Sequence, residues 1–277
     1  MNLEEATKKV LNGEFKGRAI AVTFDDGYRD NFDLARDILK KNGVPATFFV
    51  PINPIDSGEL YWWDYLHYII QRYASYFMKW GQNLELPPSL GVLFQSELPP
   101  QNEIDPFCRN MMRCMNGLEN MSRQAFLDNL MNEFGHPEGE RLLMNWDEIR
   151  RLKADGFPIA SHTVSHRSLV DLPIAEAQAE VSDSRVMLSK RLGCRIAGFS
   201  YPRGDWNDSL ADIVEQAGYS YAVTTRFGSN KNPIDVYGLT RRNMSDYQGI
   251  RAWMPVMMCR LELTGVADKV FAARRRG

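Results

Sequence analysis

"AVTFDDGYRDN", residues 21–31, decides how the rest of the chain is read. A short apolar run ends on two adjacent carboxylates, Asp25 and Asp26, and Gly27 follows at once. Adjacent carboxylates repel, and burying either is costly unless a cation sits beside it. The plain alternative is a turn, because Asp-Gly is a common turn dipeptide and an Asp there can cap the next helix. A buried strand that stops on a carboxylate pair sends the search for a cation into the rest of the chain.

The flanks set the fold class. "RAIAVTF" (18–24) reads as a buried strand. "RDNFDLARDILKKNG" (29–43) places Leu34, Ala35, Ile38 and Leu39 on one helical stripe and stops at Gly43. "PATFFVPI" (45–52) is a second strand. Strand, helix, strand predicts a parallel sheet with crossover helices. The alternation then breaks. Residues 55–145 contain "YWWDYLHYIIQRYASYFMKW", with Trp62, Tyr65, Leu66, Ile69, Ile70 and Tyr73 on one face. A Pro-bearing stretch, a Met-rich segment and a helix after Ser122 follow. This is a helical insertion, expected to fold over one edge of the barrel mouth. Alternation resumes with a helix over 145–156, capped by Asn145 and stopped by Gly156. Strands are expected at 157–161, 196–200, 219–225 and near "YGLTRR", and helices at 174–192 and 208–217. The domain reading is one domain over 1–277, with the insertion at about 55–145 and a helical tail at about 248–277.

The totals narrow the function classes. The chain has 277 residues, 44% apolar and 25% charged, as expected of an ordinary globular protein. A net charge of −2 gives no general attraction to nucleic acid. The four cysteines, Cys108, Cys114, Cys194 and Cys259, form no Cys-x-x-Cys pair, which fits reduced thiols. The start, "MNLEEATKKVLNG", lacks the apolar core of a signal peptide, and no later run approaches a membrane span. The expectation is a cytoplasmic protein, or one whose leader has been removed.

The second informative stretch is "ASHTVSH". His162 and His166 stand four apart, directly after a predicted strand, and the chain has only four histidines. On a helical turn, positions i and i+4 face the same way and can take two positions on a metal ion. The plain alternative is a surface or capping role for each. Both this pair and Asp25-Asp26 fall at strand ends, and in an α/β barrel those ends converge on one rim. One Asp and two His then make a metal site with open positions, with a second carboxylate beside it as a base. The divalent ion would offset the repulsion between the two carboxylates.

"TFDDG" (23–27), "SHTVSH" (161–166) and "FSYPRG" (199–204) together resemble the first three motifs of the polysaccharide deacetylases, the NodB homology domain of carbohydrate esterase family four. The resemblance covers residues 18–52 and about 145–243. It implies a distorted (β/α)7 barrel and a metal-dependent hydrolase that removes N-acetyl, sometimes O-acetyl, groups from sugars. It makes Asp25 the general base, Asp26, His162 and His166 the metal ligands, and the Tyr201 backbone N–H a donor to the oxyanion. Two nitrogen ligands and one oxygen suit Zn2+; Co2+, Ni2+, Mn2+ and Fe2+ can occupy the same triad.

Two departures stand out. Many family members carry Arg directly after the Phe of the third motif, tethering the catalytic Asp; here that residue is Ser200. Arg203 is the candidate to compensate, against the plain alternative of a solvated turn charge. Many members also have a late His that protonates the leaving amine, and no His follows His166. Asp25 can return its own proton; His67 is the one imidazole candidate in the insertion, and His136, before Pro, reads as a turn residue. Among Tyr61, Trp62 and Trp63, and at Trp206, the candidates for a sugar platform are Trp63 and Trp206, although aromatics at helical spacing are more often core.

The expected substrate is an N-acetylated sugar, glycan or glycolipid precursor. The alternatives are a C–N hydrolase or deformylase acting on a formamido sugar or a non-sugar amide, and a non-catalytic carbohydrate-binding protein. The tail "IRAWMPVMMCRLELTGVADKVFAARRRG" has two readings. One is a final helix closing the barrel. The other is a weak contact with an anionic membrane surface, which would make the protein peripheral at the inner face.

Overall fold

The computed structural model describes residues 1–15, 17, 19–95, 100, 103–135, 139, 141–230 and 233–243. His136 and the tail at 248–277 lie outside the described residues. Helix α1 (Leu3–Leu11) opens the chain, capped by the Asn2 side chain. Then come β1 (Val22–Phe24), α2 (Arg36–Lys41), β2 (Ala46–Val50) and α3 (Ile52–Ser57). Four helices follow: α4 (Trp62–Gly81), α5 (Pro88–Phe94), α6 (Ile104–Asn116) and α7 (Asn120–Phe134). The chain continues with α8 (Trp146–Ala154), β3 (Ile159–Ser161), α9 (Ile174–Leu192), β4 (Gly198–Ser200), α10 (Asp208–Gln216), β5 (Tyr221–Phe227) and β6 (Leu239–Arg241). By contact it divides into two compact units, one of residues 59–142 and one of the rest.

The larger unit holds one sheet of six strands in the order β1-β2-β3-β4-β5-β6, each pair parallel. Sequential parallel strands joined by helices are the arrangement of a NodB-type β/α barrel. Strands β2, β3 and β4 are buried along their whole length. That explains why they read as apolar runs without alternation. Phe49, Ala160, Ala197, Tyr221, Val223 and Leu239 pack as one cluster. Phe48 stacks on Phe24 at 5.0 Å and meets Phe157 edge-on at 5.5 Å. Helix α8 begins as its sequence dictates: the Asn145 side chain accepts from the Asp147 and Glu148 N–H groups, and the Glu148 carboxylate accepts from the Asn145 N–H.

The helix after β1 departs from expectation. Residues Asn31–Ala35 form a π-type turn before α2. The wider turn rotates the following residues out of the anticipated stripe. Leu39 is buried, while Leu34 and Ile38 are 65% and 62% exposed.

The second unit has a core of its own. Tyr65, Leu66, Ile69 and Ile70 of α4 are buried with Phe77, Leu90, Phe94, Met111, Met115 and Leu130. Gly81 leaves room for the Phe94 ring, which a Cβ would strike. Tyr73 does not join the buried face: α4 kinks at this residue (φ −126°) and leaves it 39% exposed. No described helix is long and apolar enough to cross a membrane.

Candidate active site

Asp26, His162 and His166 meet. Asp26 Oδ1 lies 3.1 Å from His162 Nε2 and 3.0 Å from His166 Nε2, and the two imidazole nitrogens are 3.1 Å apart. His162 Nδ1 is 2.8 Å from the Ser200 carbonyl. A carbonyl only accepts, so Nδ1 carries the proton, and in a neutral ring Nε2 offers a lone pair. With His166 in the same tautomer, three lone pairs face one another, and a cation between them relieves their repulsion. A tetrahedral ion with bonds of about 2.0–2.1 Å spaces its ligands about 3.3–3.4 Å apart. The observed triangle is within roughly 0.3 Å of that spacing, so the donor set fits a divalent metal. The group is the one set of three or more candidate ligands found among the described residues.

Without an ion between them, the three groups lean on one another through shared protons. Burial pushes the Asp26 carboxyl up, but its hydrogen bonds to the two histidines and their charges hold it well below the usual carboxylate range. Burial pulls His166 below the ordinary imidazole value despite Asp26 beside it, and His162 adds to the lowering. Burial also opposes the charged form of His162, but the Asp26 hydrogen bond and the two carboxylates overcome it and raise it.

The local backbone explains the convergence. The histidine pair does not sit on a helical turn. It occupies the loop after β3, where Thr163 and His166 take left-handed φ values of 69° and 61°. Thr163 Oγ1 accepts from the His166 N–H at 2.9 Å and closes the loop. Asp26 has φ 69° and Gly27 φ 73°, so the chain turns left-handed directly after Asp25. Gly27 takes this φ without strain, and a Cβ there would come within 2.8 Å of Ile55 Cδ1, which would have to shift. The Met144 N–H donates to the Gly27 carbonyl at 2.8 Å, and Tyr28 bridges to Leu143. Among the described residues the non-glycine positive-φ positions are Asp26, Thr163, His166 and Arg203, all within the three motifs. Such backbone costs on the order of 1 kcal/mol or more per residue and persists only where its surroundings enforce it.

The turn after Asp25 sends the two carboxylates to different partners. Arg241, the last residue of β6, grips Asp25 with both prongs: Nη1 to Oδ1 at 2.8 Å and Nη2 to Oδ2 at 2.7 Å. The Ser200 hydroxyl donates to Oδ2 at 3.0 Å. Arg241 is itself fixed by its Nε–H bond to the Thr224 carbonyl at 2.7 Å. Burial pushes the Asp25 carboxyl up, but the Arg241 charge and hydrogen bonds outweigh it and hold the group below its ordinary value. Sequence reasoning missed Arg241. The signal was present, as "YGLTRR" was read as a strand and its end falls where functional side chains gather.

The other expected residues fare differently. Arg203 does not reach Asp25. Its side chain is 39% exposed, with Nε 3.6 Å from Asp205 Oδ2, because Arg241 already fills the tether's place. The Tyr201 N–H does not face an open site, since it donates to the Val223 carbonyl at 3.2 Å in the β4–β5 ladder. The Tyr201 side chain is fully buried, its hydroxyl donates to the Tyr237 carbonyl, and burial pushes its phenol well up. Trp206 carries the Arg226 guanidinium 4.2 Å over its ring. Trp63 belongs to the helical unit, where it stacks on Tyr61 at 4.4 Å and meets Trp62 edge-on at 5.5 Å. His67, in the same unit, is 44% exposed with Nε2 3.4 Å from Asp105 Oδ1.

Comparison with known proteins finds related sequences and folds. The family model described as polysaccharide deacetylase matches residues 12–71 and 126–222. A curated relative, "Putative polysaccharide deacetylase YxkH" of Bacillus subtilis (strain 168), is 27% identical over 228 residues, covering 82% of this chain and 52% of the relative. The chain thus spans about half the length of that protein. Two solved structures share the fold. The Streptococcus pyogenes deacetylase PplD in complex with acetate has a TM-score of 0.55 at 19% identity, over 88% of this chain and 75% of its own. IcaB from Ammonifex degensii has 0.53 at 16% identity, over 95% and 81%. With the family model covering more than half of the sequence, the chain belongs to the polysaccharide deacetylase family.

Proposed function

We propose that the protein is a metal-dependent hydrolase that removes N-acetyl groups from a sugar, glycan or glycolipid precursor. One observation carries this reading: Asp26, His162 and His166 converge as three acceptors, while the neighbouring Asp25 is held ionised by Arg241. Asp26 Oδ1, His162 Nε2 and His166 Nε2 would hold the ion. Two nitrogens and one oxygen favour Zn2+. A divalent ion held there supplies Lewis acidity toward water and toward the acetyl carbonyl.

Asp25 acts as the general base. A carboxylate has about four lone-pair directions. Arg241 and Ser200 occupy two on Oδ2, and Arg241 one on Oδ1. The remaining direction, on Oδ1, receives the proton as water attacks the amide carbon. The rigid grip of Arg241 fixes where that lone pair points, which is the geometric requirement for proton transfer. Asp25, protonated in that step, returns the same proton to the leaving amine. Base and acid are then one carboxyl group used twice.

The test is acetate release from a panel of N-acetyl sugars, chitooligosaccharides and N-acetylated glycolipids, with the metal-loaded chain and its Asp25→Asn variant. Release by the parent and not by the variant is the expected result. No release from any member, or equal release by both, contradicts the reading.

A further inference from the structure

Glu180 lies on α9, outside the three motifs, yet its carboxylate enters the loop that carries both histidines. Its side chain is 8% exposed. Oε2 accepts from two successive backbone N–H groups, Val164 at 2.9 Å and Ser165 at 2.8 Å. Oε1 accepts from the Ser165 hydroxyl at 2.5 Å, and Arg167 Nη2 stands 3.8 Å away. The opposite side of the loop is pinned by the chain entering α3. There the Ile52 and Asn53 N–H groups donate to the Thr163 and Val164 carbonyls at 3.3 and 2.8 Å. The segment between His162 and His166 is therefore clamped between a carboxylate and a helix start. Its two left-handed residues, Thr163 and His166, are otherwise unfavourable there.

We propose that Glu180 is a positioning residue for the metal centre: by gathering the Val164 and Ser165 N–H groups it holds the loop in the form that brings His166 Nε2 to within 3.1 Å of His162 Nε2. This rests on the metal-centre reading above. The clamp works through hydrogen-bond acceptance at one oxygen, not through net charge. Glutamine can place its amide oxygen where Oε2 stands and donate its NH2 to the Ser165 hydroxyl. Aspartate keeps the charge but draws the carboxylate back by one methylene.

The two substitutions separate these roles. Co2+ is titrated into the metal-free full chain, the Glu180→Gln and Glu180→Asp variants, and His166→Ala, reading both affinity and the visible absorption of bound Co2+. Glu180→Gln is expected to match the parent. Glu180→Asp is expected to bind Co2+ about 10–100-fold more weakly, with a changed spectrum. A general loss of fold stability would lower the melting temperature without moving the spectrum. Parent-like affinity and spectrum in Glu180→Asp overturn the proposal, as does weakened binding in Glu180→Gln with Glu180→Asp intact. A parent chain that takes up no Co2+, or takes it up as well with His166→Ala, overturns the metal reading itself.

Discussion

Arg241 and Asp25 stand 216 residues apart in sequence and meet as a two-pronged ion pair, at 2.8 and 2.7 Å, across the ends of β6 and β1. This answers why two carboxylates can adjoin at a buried strand end. Each has its own cationic or imidazole partner, because the left-handed turn at Asp26 separates their directions. The pair also replaces a tether that the third motif lacks at Ser200. The serine is not idle there, since its hydroxyl adds a third bond to the same carboxylate.

Removing the guanidinium is expected to cost turnover without costing metal. In Arg241→Gln, the main influence opposing burial is gone and the Asp25 carboxyl rises. At any given pH below or near its new value less of it is ionised, so the acid limb of the kcat/KM profile moves to higher pH. Loss of an oriented base lowers turnover by about 10²–10⁴-fold. Metal content measured beside the pH profile is the check, and an unmoved acid limb would contradict the assignment of Asp25 as base.

The same pair has a stability signature. The folded Asp25 value lies below the unfolded one, so its contribution is fully present above the ordinary carboxylate value and fades as pH falls through the folded value. Both side chains keep about a fifth of their exposure, 19% and 20%. Breaking the pair is therefore expected near the low end for buried ion pairs, about 3 kcal/mol. Urea unfolding of Arg241→Gln at pH 7 measures it.

The two aspartates should separate in their failures. Asp25→Asn is expected to retain metal and lose most turnover. Asp26→Asn is expected to bind metal poorly, because one of three donors is gone. Metal content and activity, measured together on both variants, decide the assignment; the opposite pattern reverses it.

In the helical unit, Phe77 is fully buried between Trp80, Phe94 and Phe134. Phe77→Ala should destabilise that unit by about 3–5 kcal/mol. Asn145→Ala removes the α8 capping box and should cost about 1 kcal/mol. Denaturant midpoints of the two variants rank these effects, and equal midpoints would contradict the packing described for Phe77.

Much of this was legible in the sequence, for reasons that differ by element. Helix α9 is found at 174–192, the range its periodicity marks. The strands were marked by apolar runs bounded by turns, although β1, β3 and β4 are each shorter than their runs. The meeting of Asp26, His162 and His166 was legible because they, with Asp25, fall at two strand ends. Its geometry was not: a helical i,i+4 face was expected, and a left-handed loop does the work. Arg241 ends a strand that the sequence marked, but its pairing with Asp25 was not legible, because the two lie at opposite ends of the chain and no local pattern links them. The Tyr201 N–H was misassigned because a motif does not say which backbone groups the sheet has already used. The π-type turn at Asn31–Ala35 likewise has no local signature in "NFDLA".

The central claim is that Asp26, His162 and His166 hold one divalent ion beside Asp25. Crystals of the protein grown with Zn2+ and measured on both sides of the zinc absorption edge test it most directly. The account predicts one anomalous peak about 2.0–2.2 Å from Asp26 Oδ1, His162 Nε2 and His166 Nε2, with Asp25 still gripped by Arg241. No peak at these three atoms, or a zinc held by Asp25 in place of Asp26, would contradict it.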